Sequence, residues 1–76
     1  YEELIVDFEK YRENKSKEEN IRPYFIYNDD MINEIIELNP SNKKELIQIK
    51  GFGPTKIDKY GQDIIDILRG YTIFEK

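Results

Sequence analysis

Two short segments of this sequence place ligand-binding groups at a useful spacing. The first is Ile49-Lys50-Gly51-Phe52-Gly53-Pro54-Thr55-Lys56-Ile57, where Gly-x-Gly lies between two expected helices with a lysine on either side. Paired glycines let a backbone turn sharply and approach a surface without Cβ contact, and the free amides that open the next helix point outward with partial positive charge. Such a corner can hold a phosphate oxygen, with Lys50, Lys56 and Lys59 as nearby counter-charge. Contacts of that type go to the sugar–phosphate backbone and carry affinity without base specificity. Pro54 removes one amide from the nest. The same residues equally describe a tight turn between helices, with Gly51 left-handed and Phe52 plugged into the core. The second segment is Arg22-Pro23-Tyr24, a guanidinium and an aromatic ring on an irregular turn. An exposed Tyr24 could stack on an unpaired base, an interaction of roughly 1–3 kcal/mol. Alternatively Tyr24 packs with Phe25 and Ile26 and only its hydroxyl reaches water.

Other chemistries lack their residues. With no cysteine and no histidine among 76 residues, thiolate chemistry, disulfide staples, imidazole dyads and most transition-metal sites are excluded. Carboxylate, Lys and Tyr remain, but Asp29 is explained as a helix-start charge and Glu18-Glu19 lies in a polar run. Gly51-x-Gly53 lacks the longer spacing and the Gly-Lys-Ser/Thr ending of a nucleotide-binding phosphate loop. No metal or cofactor is therefore expected in this chain. The net charge of −4 opposes general polyanion binding, yet it is unevenly distributed. Residues 1–20 and 21–40 each sum to −3 and residues 62–76 to −1, whereas residues 41–61 sum to +3, with Lys43, Lys44, Lys50, Lys56 and Lys59 against Glu45 and Asp58. The one positive stretch contains the glycine turn.

The elements that must position these groups read as helices. Tyr1, Leu4, Ile5, Phe8 and Tyr11 recur at steps of three and four, giving an amphipathic helix over residues 2–14. The polar run 14–20 reads as its solvated end plus a connector. Pro23 interrupts any continuous helix, and Tyr24, Phe25, Ile26 and Tyr27 form an apolar knot suited to one 3₁₀ turn. Asn28 or Asp29 caps a helix whose inward face is Met31, Ile32, Ile35, Ile36 and Leu38 and which ends at Asn39-Pro40. Ser41 or Asn42 caps the next one; with Asn42 as cap, Glu45 completes a capping box. Leu46, Ile47 and Ile49 face inward, and this helix ends at Gly51. Pro54 opens a long last helix carrying Ile57, Tyr60, Ile64, Ile65, Leu68 and Tyr71. Gly61, inside it, costs about 1 kcal/mol relative to alanine and so marks a close approach by another helix. No period-two strand pattern occurs. At 76 residues one compact all-α domain is expected, spanning residues 1–76, and no apolar run approaches the roughly 20 residues that cross a bilayer. A soluble chain follows. Tyr rather than Met at position 1, with no signal pattern after it, reads as an excised piece of a larger protein, and the lack of cysteine suits a cytoplasmic setting.

In sum these residues resemble the HRDC domain, the helicase and RNase D C-terminal module, over roughly residues 2–70. The resemblance is carried by Pro23-Tyr24, Asn28-Asp29, Glu45-Leu46 and residues 50–61, where the Gly-x-Gly corner has the pattern of a helix-hairpin-helix turn. It implies a compact five-helix bundle with that hairpin between the last two helices. It implies an accessory domain from the C-terminal region of an ATP-dependent DNA helicase, RecQ-like, active in DNA repair and recombination in the bacterial cytoplasm or nucleoid. The fragment would then be non-catalytic, with ATP and magnesium confined to motor domains elsewhere in the parent. A site of Arg22, Tyr24, Lys50, Gly51, Gly53, Lys56 and Lys59 would make weak, sequence-independent contact with single-stranded or branched DNA, the position of Tyr24 matching the tyrosine that RecQ-like members use for single strands. Members that bind DNA well carry several basic residues on the first helix, whereas this chain has Glu2, Glu3, Asp7, Glu9 and Glu13 against Lys10 and Arg12. That difference keeps two alternatives open: an interdomain or protein docking module acting through its acidic surface, and the C-terminal domain of an RNase D-type exonuclease. A monomer is expected in isolation.

Overall fold

The computed structural model describes residues 2–70. Helix α1 (Glu2–Glu19) buries Phe8 and Tyr11 and half-buries Leu4 and Ile5, as the apolar spacing requires. It runs five residues past the expected end. Lys and Glu are good helix formers, Lys15 pairs with Glu18 one turn on at 3.3 Å, and the Ser16 hydroxyl donates to the Glu13 carbonyl at 2.9 Å. The helix stops at Asn20, whose φ of 58° turns the chain so that the Ile21 amide donates back to the Ser16 carbonyl at 3.0 Å.

Pro23 opens a 3₁₀ turn (Pro23–Phe25), closed by the Phe25 and Ile26 amides donating to the carbonyls of Arg22 and Pro23. Asn28 caps α2 (Asp29–Leu38), its side chain accepting from the Met31 amide at 2.8 Å, and a left-handed Asn39 ends it. Asn42 caps α3 (Lys43–Leu46) by accepting from the Glu45 amide at 3.0 Å. Glu45 reaches back one residue further than a standard capping box, accepting from the Ser41 amide at 2.8 Å. Pro54 begins α4 (Pro54–Leu68). The bundle thus has four α-helices and one 3₁₀ turn among the described residues, which corrects the expected five helices. Only four residues separate Pro23 from the Asn28 cap, so the apolar knot closes a single turn. The third helix ends at Leu46 rather than Gly51, continuing as turns, and the last ends at Leu68. Tyr1 and Tyr71, both assigned to helix faces from the spacing, lie outside the described residues.

The core joins all elements. Phe8, Ile26, Tyr27, Ile35, Leu46 and Ile64 are fully inaccessible, and Ile49, Phe52 and Tyr60 close the hairpin side. Leu38 and Ile47, expected to face inward, are exposed. Each sits where its helix gives out, and beyond Ile47 the chain redirects so that Ile49 and Phe52 fill the space instead. Helix α1 packs on the 3₁₀ turn, α2 and α4, while α3 packs on α4. The radius of gyration, 11.3 Å, matches the roughly 11 Å of a single compact domain of this length.

Candidate nucleic-acid interface

The hairpin between α3 and α4 has the geometry of a tight turn between helices. Gly51 has φ +101°, a conformation that favours glycine, and a Cβ there would lie 3.0 Å from both Cε and Sδ at the flexible end of Met31. Phe52, with its amide donating to the Ile49 carbonyl at 3.1 Å, is seated in the core. That anchor fixes the corner. Gly53 stands at the N-cap of α4, its carbonyl accepting from the Ile57 amide at 3.1 Å, and no side chain caps the helix. Asn28 and Asn42 cap α2 and α3, so the start of α4 differs from both in having no side-chain cap on the amides of Thr55 and Lys56. Lys50, Gly51 and Gly53 are exposed and Lys56 is half-buried.

Lys59 is already engaged. Its Nζ donates to Glu19 Oε1 at 3.0 Å, and the Tyr60 hydroxyl donates to the same oxygen at 2.7 Å. These bonds, Tyr60 first and Lys59 second, hold the Glu19 carboxyl below its ordinary range. Hydrogen bonding to Glu19 correspondingly raises Lys59, and burial followed by the Glu19 bond raises Tyr60. A depressed carboxyl stabilises the fold fully above its unfolded value of about 4.3 and loses that contribution as pH falls through the lower folded value. Urea midpoints measured from pH 6 down to pH 2 are therefore expected to fall less steeply for Glu19→Gln than for the parent; parallel curves would mean that the clasp is not formed in solution. Its alkaline counterpart has the opposite sign: the raised Lys59 and Tyr60 contribute below about pH 10 and lose their effect above it.

A reciprocal contact lies along the same pair of helices. The Tyr11 hydroxyl on α1 donates to Asp63 Oδ2 on α4 at 2.6 Å, and the Tyr11 and Tyr60 rings meet edge to face at 6.4 Å. Burial, then the Asp63 bond, pushes the Tyr11 hydroxyl far above the ordinary phenol range.

The apolar knot divides at its middle. Ile26 and Tyr27 are fully buried, whereas Tyr24 and Phe25 are 58% and 55% exposed, their rings 4.9 Å apart and tilted by 40°. Tyr24 does not pack into the core with Ile26, and Phe25 is a second exposed ring that the run of apolar letters conceals. Arg22 beside them is exposed. The turn leads directly into the Asn28 cap of α2, and Gly51 approaches Met31 in the first turn of that helix, so the two sequence-derived segments flank the same end of α2. Pro23 also borders a depression of about 420 Å³ shared with Val6, Glu9, Lys10 and Glu13 of α1. Of the expected site residues, Arg22, Tyr24, Lys50, Gly51 and Gly53 are therefore presented to solvent, Lys56 partly so, and Lys59 is paired with Glu19. The described residues contain no group of three or more carboxylates placed to hold a metal ion, and no helix long and apolar enough to cross a membrane.

Comparison with known proteins places the chain in a family. The family model described as the HRDC domain matches residues 2–68. The ATP-dependent DNA helicase UvrD2 of Mycobacterium tuberculosis is 35% identical over 71 residues, covering 93% of this chain and 10% of that protein. The ATP-dependent DNA helicase RecQ of Haemophilus influenzae is 28% identical over 67 residues, covering 88% of this chain and 11% of the helicase. RecQ of Bacillus subtilis is 29% identical over 70 residues, covering 92% and 12%. The chain thus spans about a tenth of the curated relatives it matches. With the family model covering every described helix, this chain belongs to the HRDC domain family.

Proposed function

We propose that the chain is the accessory HRDC domain of a larger bacterial DNA helicase and makes weak, sequence-independent contact with single-stranded DNA. The observation that carries this reading is the open start of α4, where uncapped amides adjoin exposed Lys50 and half-buried Lys56. An anion is favoured at such a helix start, and lysines beside it add a salt-dependent attraction. Tyr24 and Phe25, at the same end of α2, supply faces on which unpaired bases can stack. The helicase names of the relatives favour this parentage over an exonuclease. On this reading ATP, magnesium and the motor chemistry belong to domains outside the chain.

Anisotropy titration of a labelled single-stranded oligonucleotide tests it. Binding is expected at 20 mM salt and weakens strongly by 200 mM. Tyr24→Ala is expected to cost about 1–3 kcal/mol of binding, and Lys56→Glu to weaken it and flatten its salt dependence. No binding at low salt, or binding indifferent to both substitutions, would overturn the assignment.

A second reading is supported by the outer face of α1. Val6 is exposed between the depression at Pro23 and a second one lined by Glu2, Glu3, Asp7 and Lys10. Together the two depressions carry Glu2, Glu3, Asp7, Glu9 and Glu13 against Lys10 and Arg12, a net acidic surface that suits a basic segment of the parent or of another protein. Docking there predicts salt-sensitive binding to the rest of the parent with no response to nucleic acid.

A further inference from the structure

The positive charge of residues 41–61 separates into three places in the fold. Lys59 is neutralised by Glu19, and Lys50 and Lys56 sit at the hairpin. Lys43 and Lys44 lie elsewhere, on one wall of a groove of about 820 Å³ between α3 and the C-terminal half of α4. The other wall carries Gln62, Asp66 and Arg69, which recur on one face of α4. We propose that this groove is a second phosphate-contact surface, which takes the backbone of a single-stranded nucleic acid; the inference rests on the nucleic-acid reading above and extends it beyond the hairpin.

Arg69 brings a cation from outside the lysine-rich stretch. Its Nη2 donates to the Ser41 carbonyl at 2.7 Å, bridging from the end of α4 to the start of α3 and holding the guanidinium at the groove. A guanidinium has five N–H donors, so this bond leaves others for a phosphate. Lys43 is held by its stem. A Cβ on Gly61 would lie 3.3 Å from Lys43 Cγ, so the missing side chain at Gly61 lets the lysine methylenes lie against α4 while the ammonium extends to water. Among the described residues no carboxylate lies within ion-pair distance of Lys43, Lys44 or Arg69. Asp66 is the lone carboxylate of the lining, accepts from Gln62 Nε2 at 3.0 Å, and is outnumbered by the three cations.

The lining contains no aromatic side chain. Bases have nothing to stack on, so the groove would hold phosphates and leave bases free, whatever their sequence. A strand engaged both here and at the hairpin would run along the α3–α4 unit, contacting it at two separated clusters of cations.

The test compares salt dependence. Each phosphate contact on a single strand contributes about 0.7 to the slope of log K against log salt. For the double variant Lys44→Gln/Arg69→Gln, titrated with labelled oligothymidylate from 20 to 200 mM KCl, the slope is expected to drop by about 1.4, which over that tenfold range of salt makes affinity at the lowest salt about 25-fold weaker or more. Lys44→Gln alone leaves the Arg69–Ser41 bond intact and is expected to remove about half of the slope change. If parent and groove variants share one slope and affinity while Lys50→Gln/Lys56→Gln weakens binding, the groove assignment is wrong and the hairpin reading stands. If the parent itself does not bind, the nucleic-acid reading fails and the groove with it.

Discussion

Replacing Tyr27 with alanine is expected to destabilise the fold by about 3–5 kcal/mol, the range for truncating a buried aromatic. The whole stability of a chain this size is of order 4–11 kcal/mol, so the substitution removes at least about a quarter of it. Three interactions converge on this residue. Its ring is fully buried and meets Phe8 edge to face at 6.0 Å. Its hydroxyl donates to the Phe8 carbonyl at 2.6 Å. Arg12 lies 5.8 Å from the ring centre, donates from Nη1 to the Tyr27 carbonyl at 3.0 Å and pairs through Nη2 with Asp29, also at 3.0 Å. Burial raises the Tyr27 hydroxyl well above the ordinary phenol range, in keeping with a neutral donor. Tyr27→Phe keeps the ring and loses one bond, for an expected cost of about 1 kcal/mol. Urea denaturation of the three proteins measures both steps. Equal midpoints for the alanine and phenylalanine variants would mean that the ring adds nothing beyond its hydroxyl.

Gly61→Leu is expected to destabilise by about 1–3 kcal/mol although leucine is the better helix former. A Cβ at this position would meet Ile57 Cγ2 and Lys43 Cγ, both at 3.3 Å. Ile57 is buried and belongs to α4 itself, so it has little room to retreat; the Lys43 stem can move, but only by leaving α4. Alanine adds the Cβ alone. Its helix preference of about 1 kcal/mol then roughly offsets the tight contacts, leaving Gly61→Ala within about 1 kcal/mol of the parent. Thermal and urea melts decide the matter: a leucine variant that melts above the parent would show that α3 does not press on Gly61.

The elements legible in the sequence were those with a local physical signature. Asn28, Asn42, Pro54 and the spacing of Phe8 with Tyr11 mark helix starts and faces that depend on neighbours within one turn. Gly51 and Phe52 disclosed the hairpin for the same reason. What stayed hidden depends on distant partners. Helix α1 persists through residue 19, where Glu19 finds Tyr60 and Lys59 some forty positions away. Nothing near Lys59 announces that its charge is taken. Tyr24 and Phe25 could not be separated from Ile26 and Tyr27, because an apolar run on an irregular turn has no period to tell outside from inside. Arg69 likewise gives no local hint that it meets Ser41. The Lys43-Lys44 doublet was visible as charge, and its place on a groove became apparent only once α4 was set beside it.

The two tyrosine–carboxylate bonds between α1 and α4 run in opposite senses, Tyr11 reaching from the first helix to Asp63 and Tyr60 reaching from the last to Glu19. Two fasteners spaced along a pair of rods resist sliding and axial rotation together, which a single fastener cannot do. A load applied at the open start of α4 would therefore pass into α1 with little give, and the domain would behave mechanically as a stiff bracket rather than a hinged flap.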